Sequence, residues 1–161
     1  MTLVLGLCLS YPYGFFDEPS ANDMGGAGIC IFLNKDHFFE FALGLGTSTN
    51  TKAELLGLWA LLHIAQVMGL PTLNIFGDSS VIINWVNGSN ALAPPELSHW
   101  CRAIRHLWSC FSNLSFNHFY REYDQIVDYQ SKVALCLAPG TCIFFEYFED
   151  LLVLHDTLML F

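Results

Sequence analysis

Apolar and polar positions along the 161-residue chain change period several times, and each change marks an element. Short apolar runs rich in β-formers come first: Tyr13–Phe16, then "AGICIFLN" at Ala27–Asn34, then "HFFEFALGLG" at His37–Gly46, joined by turn-rich links. Runs of this length between turn residues predict an antiparallel meander. From Leu55 to Met68 the chain is apolar on nearly every side, which predicts a helix buried by both sheet and neighbours; Gly69 and Pro71 predict its end. "TLNIFGD" predicts a fourth strand and "SSVIINWVNG" a short helix. After the breaker-rich "SNALAPPE", Leu97, Trp100, Cys101, Ile104, Leu107, Trp108 and Phe111 keep helical spacing, with Arg102, Arg105 and His106 on the opposite side. "LSFNHFYREY" predicts a fifth strand and "DQIVDYQSKVALCL" a last helix. The order predicts an α/β protein with a five-stranded mixed sheet, three antiparallel strands followed by parallel additions, flanked by helices.

Residues 1–138 hold this pattern as one domain, and residues 139–161 form an apolar extension. The extension, "GTCIFFEYFEDLLVLHDTLMLF", is too apolar for a solvated tail; it is expected to be helical over Phe145–Phe161 and to cover the core or dock on a protein partner. Composition supports a packed interior, with 53% hydrophobic and only 13% charged residues. No run reaches the roughly 18 uncharged apolar residues of a membrane helix, and the opening "MTLVLGLCLS" lacks a positive n-region. An intracellular protein, nuclear or cytoplasmic and not secreted, is the expectation. Six cysteines without a CxxC pair read as reduced thiols, mostly in the core. The net charge of −9 opposes long-range steering of nucleic acid.

Four carboxylates occupy places where an acid is expensive or exposed to chemistry: Asp17 at the end of the first strand, Glu54 at the start of the buried helix, Asp78 at the end of the fourth strand, and Asp128 inside the last helix. Each has an ordinary explanation. Asp17 before Glu18-Pro19 suits a turn. Thr51 and Glu54 form the T-x-x-E of a capping box. Asp78 suits an N-cap, and Asp128 an ion pair with Lys132 one turn on. Crowded together instead, the four would repel, and divalent cations would relieve that repulsion.

In order and context, "FFDEPS…GGAG", "TNTKAELLGLWALL", "NIFGDSSVIINW" and "HFYREYDQIVDYQSKVAL" resemble the type 1 ribonuclease H family, and more narrowly the ribonuclease H-like domains of plant retroelements. Those domains carry "FDG", "KAEL", "DS" and "HV-RE-N--AD" in this order. The sequence departs from them at Glu18, at Asp124 and in "VDYQS", and keeps all four acids.

The resemblance covers Tyr13 to Leu137. It implies a metal-dependent endonuclease that hydrolyses the RNA strand of RNA–DNA hybrids, with Asp17, Glu54, Asp78 and Asp128 as catalytic ligands of two Mg²⁺ ions, Mn²⁺ being an alternative. A decayed binding or interaction module of the same origin is the rival. The resemblance further implies His118 as a histidine assisting proton transfer or product release, against the plainer reading of a histidine packed beside Phe119. Asn50 and Ser80 are implied as substrate contacts. Asn22, with the backbone N–H groups up to Gly28, could meet phosphate or a 2′-OH, and Arg102 and Arg105 offer a basic stripe whose plainer reading is a solvated helix face.

Overall fold

A computed structural model describes residues 11–17, 24–77, 80–86, 95–118 and 125–161. Three strands, β1 (Tyr13–Asp17), β2 (Met24–Phe32) and β3 (His37–Thr47), form the expected meander. Helix α1 (Asn50–Val67) crosses back to β4 (Thr72–Gly77). Helices α2 (Ser80–Val86) and α3 (Ser98–Trp108) precede β5 (Asn113–His118), and α4 (Gln125–Ala134) follows it. The strands β1, β4 and β5 run parallel to one another. The described residues thus carry the mixed α/β architecture expected from the sequence.

Two expectations need correction. The sheet has seven strands, in the order β5-β4-β1-β2-β3-β6-β7, where five were expected. The extra two come from the segment expected to be helical: β6 (Thr141–Phe148) pairs antiparallel with β3, and β7 (Leu151–Met159) with β6. The physical reason is the open edge of β3, whose backbone groups need partners that a helix cannot supply. Glu149 and Asp150 both take positive φ, 53° and 65°, the two-residue turn whose twist matches a hairpin. Side chains fix the pairing: Phe38 stacks on Tyr147 at 5.0 Å, and His37 Nε2 lies 2.6 Å from Glu146 Oε2. Residues 141–159 therefore continue the sheet of the preceding residues.

The two faces of the sheet are covered unequally. Helices α1, α2 and α3 pack on one face in the larger core, which holds Phe16, Ile29, Leu61, Ile82 and Ile104. Strand alternation sends Tyr13, Phe15 and Phe32 to the other face, where Val127 of α4 meets them. Helix α1 is buried nearly all round, as its sequence predicts, because it lies between the sheet and α3. It ends at Met68, followed by Gly69 with φ +77°.

Helix α4 approaches the sheet closely because β2 has no side chains beneath it. A Cβ on Gly28 would stand 2.1 Å from the Val127 carbonyl oxygen and 2.6 Å from the Ser131 nitrogen. One on Gly26 would stand 2.7 Å from Ala134 Cβ. Glycine in a strand interior weakens the strand, and here it permits a close backbone approach.

Of the described cysteines, Cys30 and Cys142 are buried, Cys101 is partly buried, and Cys110 and Cys136 are exposed; none is disulfide-bonded. The expectation of mostly core thiols holds for two of these five. Among the described residues no helix is long and apolar enough to cross a membrane.

Candidate active site

Asp17 is the last residue of β1, an interior strand flanked by β4 and β2, and only 2% of its surface is exposed. Alternation puts its side chain on the face of Phe15, toward α4. A carboxylate so deeply placed carries a large desolvation cost that hydrogen bonds, a cation or protonation must offset. Its register partner on β2 is Gly28, the glycine on which α4 rests. Asp128 follows Val127, whose backbone is the part of α4 seated there. The two acids, 111 positions apart in the sequence, are thus linked by a short physical chain: Asp17 to Gly28 by strand pairing, Gly28 to Val127 by contact, Val127 to Asp128 by the peptide bond.

Glu54 reaches the same end of the sheet from the other face. A Cβ on Gly57 would lie 3.4 Å from Phe16, and one on Gly14 would lie 2.7 Å from Leu61. Helix α1 therefore runs antiparallel to β1, and Glu54, one turn before Gly57, lies beyond Phe16 in the direction of Asp17. The capping box expected at Thr51 is not the helix N-cap. The N-cap is Thr49, with extended backbone and a hydroxyl that accepts from the Lys52 N–H at 3.2 Å, so the Thr51-x-x-Glu54 box is out of register by two residues.

The ordinary explanation for Asp128 is present. Lys132 Nζ lies 3.0 Å from its Oδ2 in a one-turn ion pair, with 29% of the Asp128 side chain and 66% of the Lys132 side chain exposed. An exposed pair of this kind contributes little stability and is readily exchanged for another cation. Gln130, buried on the same helix, donates from Nε2 to Glu40 Oε1 at 2.8 Å and ties α4 to β3. Burial raises the Glu40 carboxyl above the ordinary carboxylate range, partly opposed by that hydrogen bond.

The remaining candidates divide. Asp78 and Asn22 lie outside the described residues; Gly77, which precedes Asp78, is the register partner of Phe16 in the parallel β1–β4 pair. His118 closes β5, opposite Gly77, and is exposed. Asn50 is the exposed first residue of α1, and Ser80 begins α2. Arg102 and Arg105 are exposed on α3, in the layer opposite α4, and the Arg105 guanidinium lies 5.0 Å from the Trp85 ring centre. The structure brings Asp17 and Glu54 to one end of the sheet and seats α4 there, while the arginines belong to the other layer. Among the described residues no three His, Cys, Asp or Glu side chains form a cation-binding group.

Gly28 is paired with Asp17 on one side and Ala42 on the other, so its backbone serves the sheet, and with Gly26 it forms the seat of α4. That seat is a feature the sequence reading missed, and its signal was Gly26 and Gly28, two positions apart inside one apolar strand.

The chain belongs to the reverse transcriptase-like family, whose model matches residues 18–134, and its fold is that of ribonuclease H. The ribonuclease H1 of the halophilic archaeon Halobacterium salinarum is 24% identical and superposes with a TM-score of 0.72 over 77% of this chain and 96% of that one. The N-terminal ribonuclease H domain of a Mycobacterium tuberculosis protein is 19% identical, with a TM-score of 0.67 over 77% and 94%. LC11-RNase H1, from a compost metagenome, was solved with an RNA/DNA hybrid; it is 24% identical, with a TM-score of 0.66 over 76% and 98%. No curated protein matches the sequence.

Proposed function

We propose that this chain hydrolyses the RNA strand of RNA–DNA hybrids with the help of divalent cations. The observation that carries the reading is Asp17: a buried carboxylate ending an interior strand, registered against the glycine that seats the Asp128 helix, with Glu54 approaching from the other face. The donors in question are all carboxylate oxygens, the set that suits Mg²⁺ and Mn²⁺. Asp17, Glu54, Asp78 and Asp128 would hold two such ions. When bound, they supply the Lewis acidity that favours hydroxide formation and stabilises a leaving 3′ oxygen.

The protein's own part is placement. The packing of β1 fixes Asp17, the glycine seat fixes the height of α4, and the helix that carries Glu54 is capped at Thr49. His118, exposed at the end of β5, is suited to hold or pass a proton, and Asn50, Ser80, Asn22, Arg102 and Arg105 are proposed hybrid contacts. The narrower likeness to plant retroelement domains rests on motif context, and the setting proposed for this activity is intracellular, nuclear or cytoplasmic.

The test is cleavage of a labelled hybrid in Mg²⁺ or Mn²⁺, with the matching DNA duplex as control and Asp17→Asn as the inactive variant. Cleavage of the hybrid's RNA strand alone is expected, and a hybrid left intact in both metals refutes the proposal. One observation favours a second reading, a hybrid-binding module without turnover: Lys132 already neutralises Asp128. Metal-independent hybrid binding without cleavage, unchanged in Asp17→Asn, is the result that reading expects.

A further inference from the structure

Strands β6 and β7 carry the sheet out from under its helices. Helix α1 lies over β1 and β2, and the added hairpin continues the sheet beyond the flank of that helix. Between flank and sheet lies a cavity of about 300 Å³, at the C-terminal end of α1 and so opposite the end that carries Glu54. It is lined by Phe39 and Phe41 of β3, Phe144 of β6, four residues of α1 between His63 and Met68, and residues 158–160. Phe41 and Ile64 are buried at its base, while Val67 and Met159, 70% and 63% exposed, stand at its mouth.

The lining selects a ligand by its chemistry. No Asp, Glu, Lys or Arg belongs to it, so an ion of either sign would be desolvated there without a partner. Phe39, Phe41 and Phe144 form a row, with successive ring centres 6.1 and 5.9 Å apart and planes inclined by 16° and 31°. Met68 and Met159 add two polarisable sulfurs. Ring–ring and sulfur–ring contacts favour an aromatic guest over an alkyl chain of the same volume. The volume sets its size, since a cavity of roughly 150 Å³ takes a benzene and this one is about twice as large. One lining side chain carries a polar nitrogen. That is His63, whose ring stacks on Trp59 at 5.1 Å with planes inclined by 10°, which holds it in one orientation. Its imidazole can give or accept one hydrogen bond at the guest's edge.

We propose that this cavity binds an uncharged molecule of two fused aromatic rings carrying a single hydrogen-bonding group. A purine base has the size but not the polarity, because its several ring nitrogens would meet one partner and an apolar wall. The inference does not rest on hybrid hydrolysis: Phe144 and residues 158–160 lie past the residues that match the family, 18–134, so the C-terminal hairpin creates the cavity.

The test is equilibrium dialysis of the full chain against 2-naphthol, with naphthalene, octanoate and adenine as comparison probes and far-ultraviolet circular dichroism on each variant. Saturable one-to-one binding of 2-naphthol is expected, roughly fivefold tighter than naphthalene through the His63 hydrogen bond. Octanoate and adenine should bind at least about tenfold more weakly. Val67→Trp changes an exposed position and sets an indole in the mouth, so the fold should hold and 2-naphthol should weaken at least about tenfold. His63→Phe keeps a ring on Trp59 and removes both nitrogens, so the preference for 2-naphthol over naphthalene should vanish. Uptake that never saturates, octanoate or adenine bound as tightly as 2-naphthol, or 2-naphthol binding unchanged in Val67→Trp would each overturn the proposal. Should Val67→Trp fail to fold, a preference that survives in His63→Phe overturns it equally.

Discussion

Replacing Gly28 with alanine tests the link between the fold and the site more directly than removing an acid would. The new Cβ would lie 2.1 Å from the Val127 carbonyl oxygen, 2.6 Å from the Ser131 nitrogen and 3.1 Å from the Val127 carbonyl carbon, all of them backbone atoms that no rotamer change can move aside. Ordinary contact requires α4 to retreat by about 1 Å. Overpacking of this kind costs about 1–3 kcal/mol. For a domain of this size that lowers Tm by roughly 2–4 °C per kcal/mol, up to about 12 °C in all. The retreat also lifts Asp128 from the Asp17 end of the sheet, and a misplacement of about 1 Å can cost on the order of 100-fold in rate.

The assay pairs a melting curve with hybrid cleavage, and Gly26→Ala serves as the graded comparison. Its Cβ would first meet Ala134 Cβ at 2.7 Å, a side-chain atom, with backbone atoms at 3.1 Å, so a smaller displacement suffices. The expected order of damage is Gly28→Ala above Gly26→Ala in both measurements. A Gly28→Ala protein that melts with the parent would refute the close seat of α4. One that melts lower yet cleaves at the parental rate would refute the role given to that seat in placing Asp128.

Gly57→Ala points the other way: its Cβ meets Phe16 and Ala27 at 3.4 and 3.5 Å, ordinary contact in a helix interior, so a gain of about 0.5–1 kcal/mol is expected in denaturant unfolding, and a loss would refute it. Glu40 should make stability fall with rising pH, because burial raises its folded-state carboxyl above the unfolded value and the folded protein therefore binds the extra proton between the two. Glu40→Gln keeps an acceptor for Gln130 and should raise Tm at neutral pH while removing that slope; an unchanged slope sinks the assignment. Among the described cysteines, Cys110 and Cys136 should react first with a thiol reagent, and Cys142, pushed up to about 12 by burial in β6, should react only on unfolding. Early Cys142 labelling would mean that β6 does not stay docked.

The elements up to residue 134 were legible because each is decided locally. Helix α1 shows the sequence signature of burial on every side, Gly69 and Pro71 stop it, and the meander strands alternate between turn signals. The tail was misread for two physical reasons. Its hairpin turn is Glu-Asp, acids holding positive φ where Asn-Gly or Asp-Gly is the usual signal. Moreover, a run apolar on both faces fits a buried helix as well as a strand, and what selects the strand is the unpaired edge of β3, more than a hundred positions earlier. Seven strands rather than five follow from that one non-local fact.

At the candidate site, the unusual placing of one acid was legible and the geometry was not. Asp17 stood out because an apolar strand seldom ends on a bare acid, and its burial bears this out. Glu54 shows the limit of local pattern: Thr51 and Glu54 have the spacing of a capping box, yet the cap forms at Thr49, because φ and ψ leave the helical region there and the hydroxyl reaches Lys52 N–H. Glu54 stands near the end of α1 that points past Phe16 toward Asp17. Asp128 shows the converse, since the predicted Lys132 pair is present, as a largely solvent-exposed contact of the kind that contributes little stability. What distinguishes Asp128 from any other i,i+4 acid is the glycine under its neighbour. Gly26 and Gly28 weaken a central strand, and they return the loss by letting a helix backbone sit where a side chain would otherwise be. A strand selected for stability alone has no need of that gap; one that must set the height of an acid above the end of β1 does.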